Sequence, residues 1–524
     1  MSSSGNNEAD KDTHPIEGLE RSKKRGVSRR RFIGLAGAAA GAIAVGGSAY
    51  FLSQNGIQTP GETGPRRVTT LATPKNAQNY IPEDYLEFIR FLESVSDQTA
   101  GKTIRVALEA EVGPRALFRN KIDFTSSLGI TLLMEFDIYR NNLAKSLLAV
   151  STRSPTFDVF NIDVSQVGRF ASHIIPIAEL LESFPELTFS NLELDDFLDP
   201  VKAFSATYPP DLILPPWNIP SGTFKGVEVQ VGQETPIYLR FYRKDLYQEE
   251  GRELSVTWDE YLEDVKHFHN PSRARWGTVL MAARFPAVIE EWHNWLYSFG
   301  GKLWDIGRDG IITSAVNSDL AVAALEHYVE VGKFAEPNSA FYGWSPAAES
   351  LAKSRATMSL NISEFAASMD IPGQSFVVRD IGFAKNPRGE AGSSHHYTGA
   401  GLAVSRYSRN PGLAWLFVQW ATLAATQVIV ALDPLALGTP TRKGVFEDSH
   451  VKGLINEGTI RHFDPAKAAF DAGEINFKPG FPNWDSVEAL LFTKLHEAVL
   501  EQVTPREALN EVKRLSDENG PFTF

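Results

Sequence analysis

The sequence contains no cysteine. That absence excludes disulfides, thiolate metal sites, iron–sulfur clusters, a cysteine nucleophile and a lipid anchor on an N-terminal cysteine. Motor and hydrolase signatures are missing too: there is no G-x-x-x-x-G-K-[ST] phosphate loop, no H-E-x-x-H zinc helix and no G-x-S-x-G nucleophile elbow. No internal repeat of solenoid length occurs. The dinucleotide fingerprint is also lacking. Gly399-Ala400-Gly401 has Val404 where the third glycine should stand, and these glycines precede an apolar run instead of following one. What remains there is a glycine-flanked strand, a polar turn, Asn410 as N-cap, Pro411 at the first helical position, and a helix with Leu413, Leu416, Phe417 and Trp420 on one face.

Basic residues become scarce after the first 31 positions, which hold 8 of them against 5 acidic ones; the remainder carries 43 Lys and Arg against 59 Asp and Glu, a net charge of -16. An exterior this acidic repels nucleic acid and anionic lipid, so no nucleic-acid partner is expected. Hydrophobic residues at 43% and charged ones at 22% are ordinary for a globular protein, and 40 Gly with 30 Pro exclude a coiled coil. A chain of 524 residues makes one large two-lobed domain or several small ones.

Four segments are read along the chain. Residues 1–31 form a basic n-region whose Ser28, Arg29, Arg30, Arg31, Phe32 and Ile33 resemble a twin-arginine export signal, with Arg29, Arg30 and Phe32 carrying the match. Residues 32–53 are uncharged and close to the roughly 20 residues that span a bilayer, so a retained anchor is favoured over cleavage after Ala49. Residues 54–79, rich in Gly, Pro, Thr and Asn, read as a flexible linker, and 80–524 as the folded part. The first 27 residues are too short and polar for a signalling domain.

"IPEDYLEFIRFLESVSDQ" has helical spacing, with Tyr85, Phe88, Ile89 and Leu92 on one face. Then "TIRVALEAE", "ITLLMEFDI" and "TFDVFNID" read as strands separated by the helices "PRALFRNKIDFTSSLG" and "RNNLAKSLLAV". That alternation predicts βαβ units on a parallel sheet, an α/β fold. Further on, "SVTWDEYLEDVKHF" offers Thr257 as N-cap with Glu260 at the capping-box position. "WGTVLMAAR", "ATMSLNIS" and "RDIGFAKNP" read as strands; "AVIEEWHNWLYSFGGK", "DLAVAALEHYVEVGKF" and the tail "WDSVEALLFTKLHEAVLEQVTPREALNEVKRL" read as helices.

The order and spacing of "YRKDLY", "TWDEYLEDVKHF", "WLYSFGGKLW", "ATMSLN", "GAGLAVSRYSRNPGLAWLFVQWA", "GTPTRKGVF" and "TPREALNEV" resemble the family-1 extracellular solute-binding proteins of ABC transporters, over roughly Lys102 to Leu515. The resemblance implies a periplasmic-binding-protein-like fold: two α/β lobes, about 102–234 with 380–432 and about 245–379 with 440–524, joined by hinge strands at "PIYLRFYRKD", "FVVRDIGFAK" and "DPLALGTPTR". It implies capture of a carbohydrate-like solute, sugar or polyol, in the cleft and delivery to ABC permease subunits, by a monomer outside the cytoplasm with no cofactor, no metal and no catalytic residues. The twin-arginine translocase would be a partner during export.

By position, the implied cleft residues are Glu109 and Asp163 after the first and third strands, Glu234 and Tyr238 beside the first crossing, Arg284 ending "TVLMAAR", Asn361 ending "ATMSLN", and Tyr397 before the glycines. Glu111 is a weaker candidate. Trp217, Trp344 and Trp484 lie outside amphipathic helices and offer rings for a sugar to stack on, whereas Trp292, Trp295, Trp415 and Trp420 read as core. The alternatives are an exported iron-binding protein on the same fold, with His396 and Tyr397 as ligands, and an exported enzyme.

Overall fold

The computed structural model describes residues 80–208, 227–306, 312–480 and 484–518. The segments read as 1–31, 32–53 and 54–79, with Arg29, Arg30 and Phe32, lie outside these residues, as does Trp217.

The first lobe grows from the expected alternation. Helix α1, Glu83–Ser94, buries Tyr85, Phe88 and Leu92 in the first core. Strand β1, Thr103–Glu109, is followed by two helices where one was expected, α2, Val112–Asn120, and α3, Ile122–Leu128, the second closed by Gly129 at φ 62°. Then come β2, Thr131–Asp137, α4, Tyr139–Ser151, β3, Val159–Asp163, and, further along, β4, Val231–Glu234. β1 pairs in parallel with both β2 and β3.

The second lobe opens with β5, Tyr238–Arg243. α5, Trp258–Phe268, starts at the expected capping box, with the Thr257 side chain accepting from Glu260 N–H and the Glu260 carboxylate accepting from Thr257 N–H. β6 covers only Trp276–Thr278; the apolar residues beyond it leave the sheet, since Met281 N–H donates to the Glu291 carboxylate (2.7 Å) and Ala282 N–H to Ser339 O (3.1 Å). Arg284 therefore ends no strand. α6, Ala287–Ser298, α7, Asp319–Gly332, α8, Trp344–Ala352, β7, Ala356–Ile362, and β8, Ile381–Ala384, complete this part.

The chain returns through β9, His395–Tyr397, to β10, Ala400–Val404, which inserts antiparallel between β3 and β4. The first sheet is thus ordered β2-β1-β3-β10-β4 and the second β8-β5-β7-β6. Because β8 hydrogen-bonds to β5, the return expected at Asp380 falls at Ala400. The two glycines before and within β10 are packing devices: a Cβ at 399 would stand 1.8 Å from the Tyr397 ring, and one at 401 would stand 2.5 Å from the Gln230 side chain.

α9, Pro411–Thr422, begins at Asn410 as expected, but the Asn410 side chain donates to Thr103 O (3.3 Å) and gives no cap bond. Gly412 to Thr422 are all buried, so α9 is a core helix rather than a one-faced one. With α10, Ala424–Leu432, it forms a bent pair; among the described residues no single helix is long and apolar enough to cross a membrane. The next three helices, α11, Lys443–Glu447, α12, Ser449–Asn456, and α13, Phe463–Asp471, join the first core through Val445, Leu454 and Phe463, not the second lobe as expected. β11, Ile475–Phe477, pairs in parallel with β9. Only from α14, Trp484–Val499, and α15, Pro505–Glu518, does the tail enter the second core.

Three connections thus join the lobes, at 235–237, at β9 and at β11. They lie side by side, because Ile237 bridges Tyr397 and β9 pairs with β11. The third falls about forty residues later than the expected "DPLALGTPTR".

Candidate ligand-binding cleft

The carboxyl ends of β1 and β3 deliver Glu109 and Asp163 to the first wall of the cleft, and the start of α4 adds Tyr139. Ligands of open α/β sheets bind at such strand ends. Glu109 and Asp163 are both buried, at 8% exposure. Asp163 caps the turn that follows it, accepting from Ser165 N–H at 2.8 Å. Burial, then the charges of Glu111 and Asp163, push the Glu109 carboxyl well above the usual carboxylate range.

From the second lobe Trp344, the first residue of α8, presents its ring edge to Tyr139, with centroids 6.3 Å apart. Its indole N–H donates to Glu290 Oε2 at 2.7 Å, and the same oxygen accepts from Tyr238 Oη at 3.1 Å. Lys478, on the third connection, sits at the centre. Its Nζ lies 2.7 Å from Glu290 Oε1, 3.5 Å from Glu488 Oε1 and 4.0 Å from Asp163 Oδ1, so one ammonium reaches carboxylates of both lobes. Burial works against its charge, but Asp163, Glu290 and Glu488 outweigh that and hold Lys478 well above the ordinary lysine value. It is 1% exposed and 5.9 Å from the Tyr139 ring centroid. Tyr139 Oη makes no hydrogen bond among the described residues.

The rim is also bridged. Gln166 Nε2 donates to Asp485 Oδ1 at 2.9 Å, Arg169 pairs with Asp485, and the Arg140 guanidinium lies 4.8 Å from the Phe285 ring centroid. These contacts join first-lobe residues to second-lobe residues directly.

Glu109, Asp163, Tyr238 and Trp344 are thus brought together, with Glu234 near the hinge. Others are not. Arg284 lies at the surface of the second lobe, donating to Thr493 Oγ1 at 3.0 Å. Asn361 is wholly buried within β7, its Oδ1 accepting from Ile362 N–H at 2.8 Å. Tyr397 is buried in the hinge, donating to Glu234 O at 3.4 Å. Trp484 is 1% exposed in the second core, its ring centroid 6.5 Å from that of Trp304. Trp344 and Trp484 both begin helices, so neither lies outside helical structure as expected.

His396 Nδ1 is 2.6 Å from Asn476 Oδ1 and 3.2 Å from His293 Nδ1, and the His and carboxylate side chains that come together closely enough to share a metal among the described residues do not include His396. Burial depresses His396 to about 3, keeping it neutral. The pair named for the iron-binding alternative is thus engaged with protein partners.

Sequence reasoning missed Lys478, Glu290, Tyr139 and Asp485. Two carried a signal: Glu290 interrupts the apolar "AVIEEWHNWLYS", and Lys478 stands alone in "INFKPGF". Charges inside apolar runs are buried, and buried charges need partners.

Two α/β lobes, three adjacent connections and a polar, aromatic cleft define a two-lobed binding protein. Residues 139–428 match the family described as bacterial extracellular solute-binding protein, over half of the chain, and the protein belongs to that family of ABC-transporter binding proteins. Among curated relatives, a probable amino-acid ABC transporter periplasmic-binding protein of Sinorhizobium fredii is 22% identical over 79% of this chain and 88% of its own. An erythritol/L-threitol-binding protein of Mycolicibacterium smegmatis is 25% identical over 45% of this chain and 50% of its own. Among solved structures, a ribitol-bound solute-binding protein of Agrobacterium radiobacter superposes at TM-score 0.67 with 21% identity, covering 80% of this chain and 99% of that one. The maltose-bound MalE3 of T. maritima superposes at 0.66 with 20% identity, covering 79% and 99%. The family places the protein outside the cytoplasm.

Proposed function

We propose that this protein captures a sugar or polyol between its lobes and hands it to the permease of an ABC importer. One observation carries the ligand class: a ring pair, Tyr139 and Trp344, faces a cluster of buried carboxylates around Lys478, all contributed jointly by the two lobes. Polyhydroxylated ligands need this combination of hydrogen-bonding side chains and flat apolar faces. Relatives and structural neighbours whose names carry erythritol, ribitol, D-mannitol and maltose support the same class. Lobe closure would exclude water and strengthen each polar contact.

Thermal shift of the purified full-length chain against erythritol, ribitol, D-mannitol, maltose and a panel of amino acids tests this. A ligand at 1,000 times its dissociation constant stabilises by about 4 kcal/mol, so a true polyol ligand raises the midpoint visibly. A shift with an amino acid alone, or with none of the panel, overturns the assignment.

Action as a monomer belongs to the same proposal, as do export by the twin-arginine route and retention by residues 32–53, the last two supported by the Arg29-Arg30 pair, Phe32 and the apolar run behind them. Replacing both arginines by lysine is expected to leave the protein inside the cell. Normal export of that variant would remove the twin-arginine part.

A further inference from the structure

A second group of carboxylates stands where the lobes join. Glu111 follows β1 in the first lobe, Glu234 ends β4 just before the first connection, and Glu364 follows β7 in the second lobe. One ligand oxygen from each lies within 4.8 Å of the others. Glu234 is 5% exposed, and neither of its carboxylate oxygens has an N–H or hydroxyl donor among the described residues, while the carboxyls of Glu111 and Glu364 face it. A buried carboxylate without such donors is costly unless a cation or a proton neutralises it.

An independent feature adjoins it. Glu234 and Glu364 line a cavity of ≈ 20 Å³ together with Gln233, Gln427 and Thr439. That is room for about one water or a small ion, and too little for an organic ammonium group with its carbon chain. Neighbouring backbone holds the walls: Thr235 Oγ1 donates to Thr439 O (3.0 Å) and Pro440 O (2.9 Å), and Ser363 Oγ shares a hydrogen bond with Thr439 Oγ1 at 2.8 Å. The residues next to Glu234 and Glu364 are thus tied to one another.

We propose that Glu111, Glu234 and Glu364 bind a hard divalent cation, calcium in preference to magnesium, which ties the two lobes together at the hinge. Oxygen-only donors select hard cations. Calcium accepts several carboxylate oxygens in flexible geometry at about 2.4 Å, whereas magnesium keeps several waters in strict octahedral order at about 2.1 Å, and the adjoining cavity has room for about one. The group adjoins the cleft through Glu111, whose charge reaches Glu109, and cation binding there needs no solute.

The test uses the metal-stripped full-length chain with no sugar present, titrated calorimetrically with CaCl₂ and with MgCl₂. Expected are one calcium per chain and magnesium binding at least tenfold weaker. Glu234→Gln and Glu364→Gln should each weaken calcium binding at least tenfold. In EDTA both variants should melt at or above the wild-type temperature, because a repelling charge is gone; in excess calcium the order should reverse. Absence of calcium uptake by the wild type, or wild-type calcium affinity in both variants, overturns the proposal. With the polyol screen run in EDTA, a failure of either experiment leaves the other intact.

Discussion

Two acidic clusters lie between the lobes, and they are built on opposite electrostatic plans. Around Lys478, the carboxylates of Asp163, Glu290 and Glu488 share one internal ammonium. At the hinge, Glu111, Glu234 and Glu364 come together without an ion pair among the described residues. The first cluster carries its own counter-charge and contributes to holding the lobes in contact. The second repels itself until something positive arrives. The same side-chain chemistry therefore stabilises one end of the interface and strains the other.

The sharpest way to break this contrast is Lys478→Met. It strands three carboxylates in a dry site, and losing one partner of a buried ion pair costs about 3–5 kcal/mol. Denaturant unfolding should show that loss; a change below about 1 kcal/mol would mean the cluster is protonated or wet. Next in size is a matched pair of isosteric changes. Glu290→Gln, which weakens the charge-assisted bonds from Lys478, Tyr238 and Trp344, should destabilise by about 1.5–3 kcal/mol. Glu364→Gln in EDTA should instead stabilise, by about 1 kcal/mol. Equal signs for the two would erase the distinction.

pH acts on both clusters in the same direction. Burial pushes Glu291 up to about 8 and Glu488 to about 7, and it raises the hinge carboxyls as well. Each folded-state value lies above the unfolded one, so the stability these groups confer is full below the unfolded value and fades as pH climbs through 7 and 8. His395, His396 and His462, depressed to about 3 by burial, act oppositely, losing stability as pH falls below about 6.5. The thermal midpoint in EDTA should therefore rise from pH 8.5 to 6.5 and then flatten, and Glu364→Gln should reduce the rise. A midpoint that falls over that window contradicts the assignment. The smallest effect belongs to the rim: Asp485→Asn removes a partly exposed pairing with Arg169, about 0–1 kcal/mol, and should weaken polyol binding by no more than about fivefold in calorimetry.

The alternating segments from Thr103 to Asp163 were legible because short-range signals, period and turn residues, decide βαβ units. The capping box at Thr257 is likewise local chemistry. Lobe membership was not legible at its edges. Whether "IGFA" pairs with β5 or with the first sheet, and whether Val445 and Phe463 fill the first core, depends on partners a hundred residues or more away. The run "VLMAA" reads as strand by composition, yet from Leu280 onward its N–H groups bond to Glu291 and to the loop around Ser339, which no periodicity reveals. For the cleft, strand ends gave Glu109 and Asp163, while Lys478 came from a loop and Glu364 from a short 3-10 turn, Ser363–Phe365, whose positions only the folded hinge determines.

The three neighbouring connections, knitted by the Ile237–Tyr397 bridge and the β9–β11 pairing, behave as a leaf spring. Such a ribbon flexes in one plane and resists shear or torsion, so the outer tips of the molecule can travel along a single arc. Whatever machinery waits at the membrane needs to gauge just one variable, the opening angle, to tell a loaded carrier from an empty one.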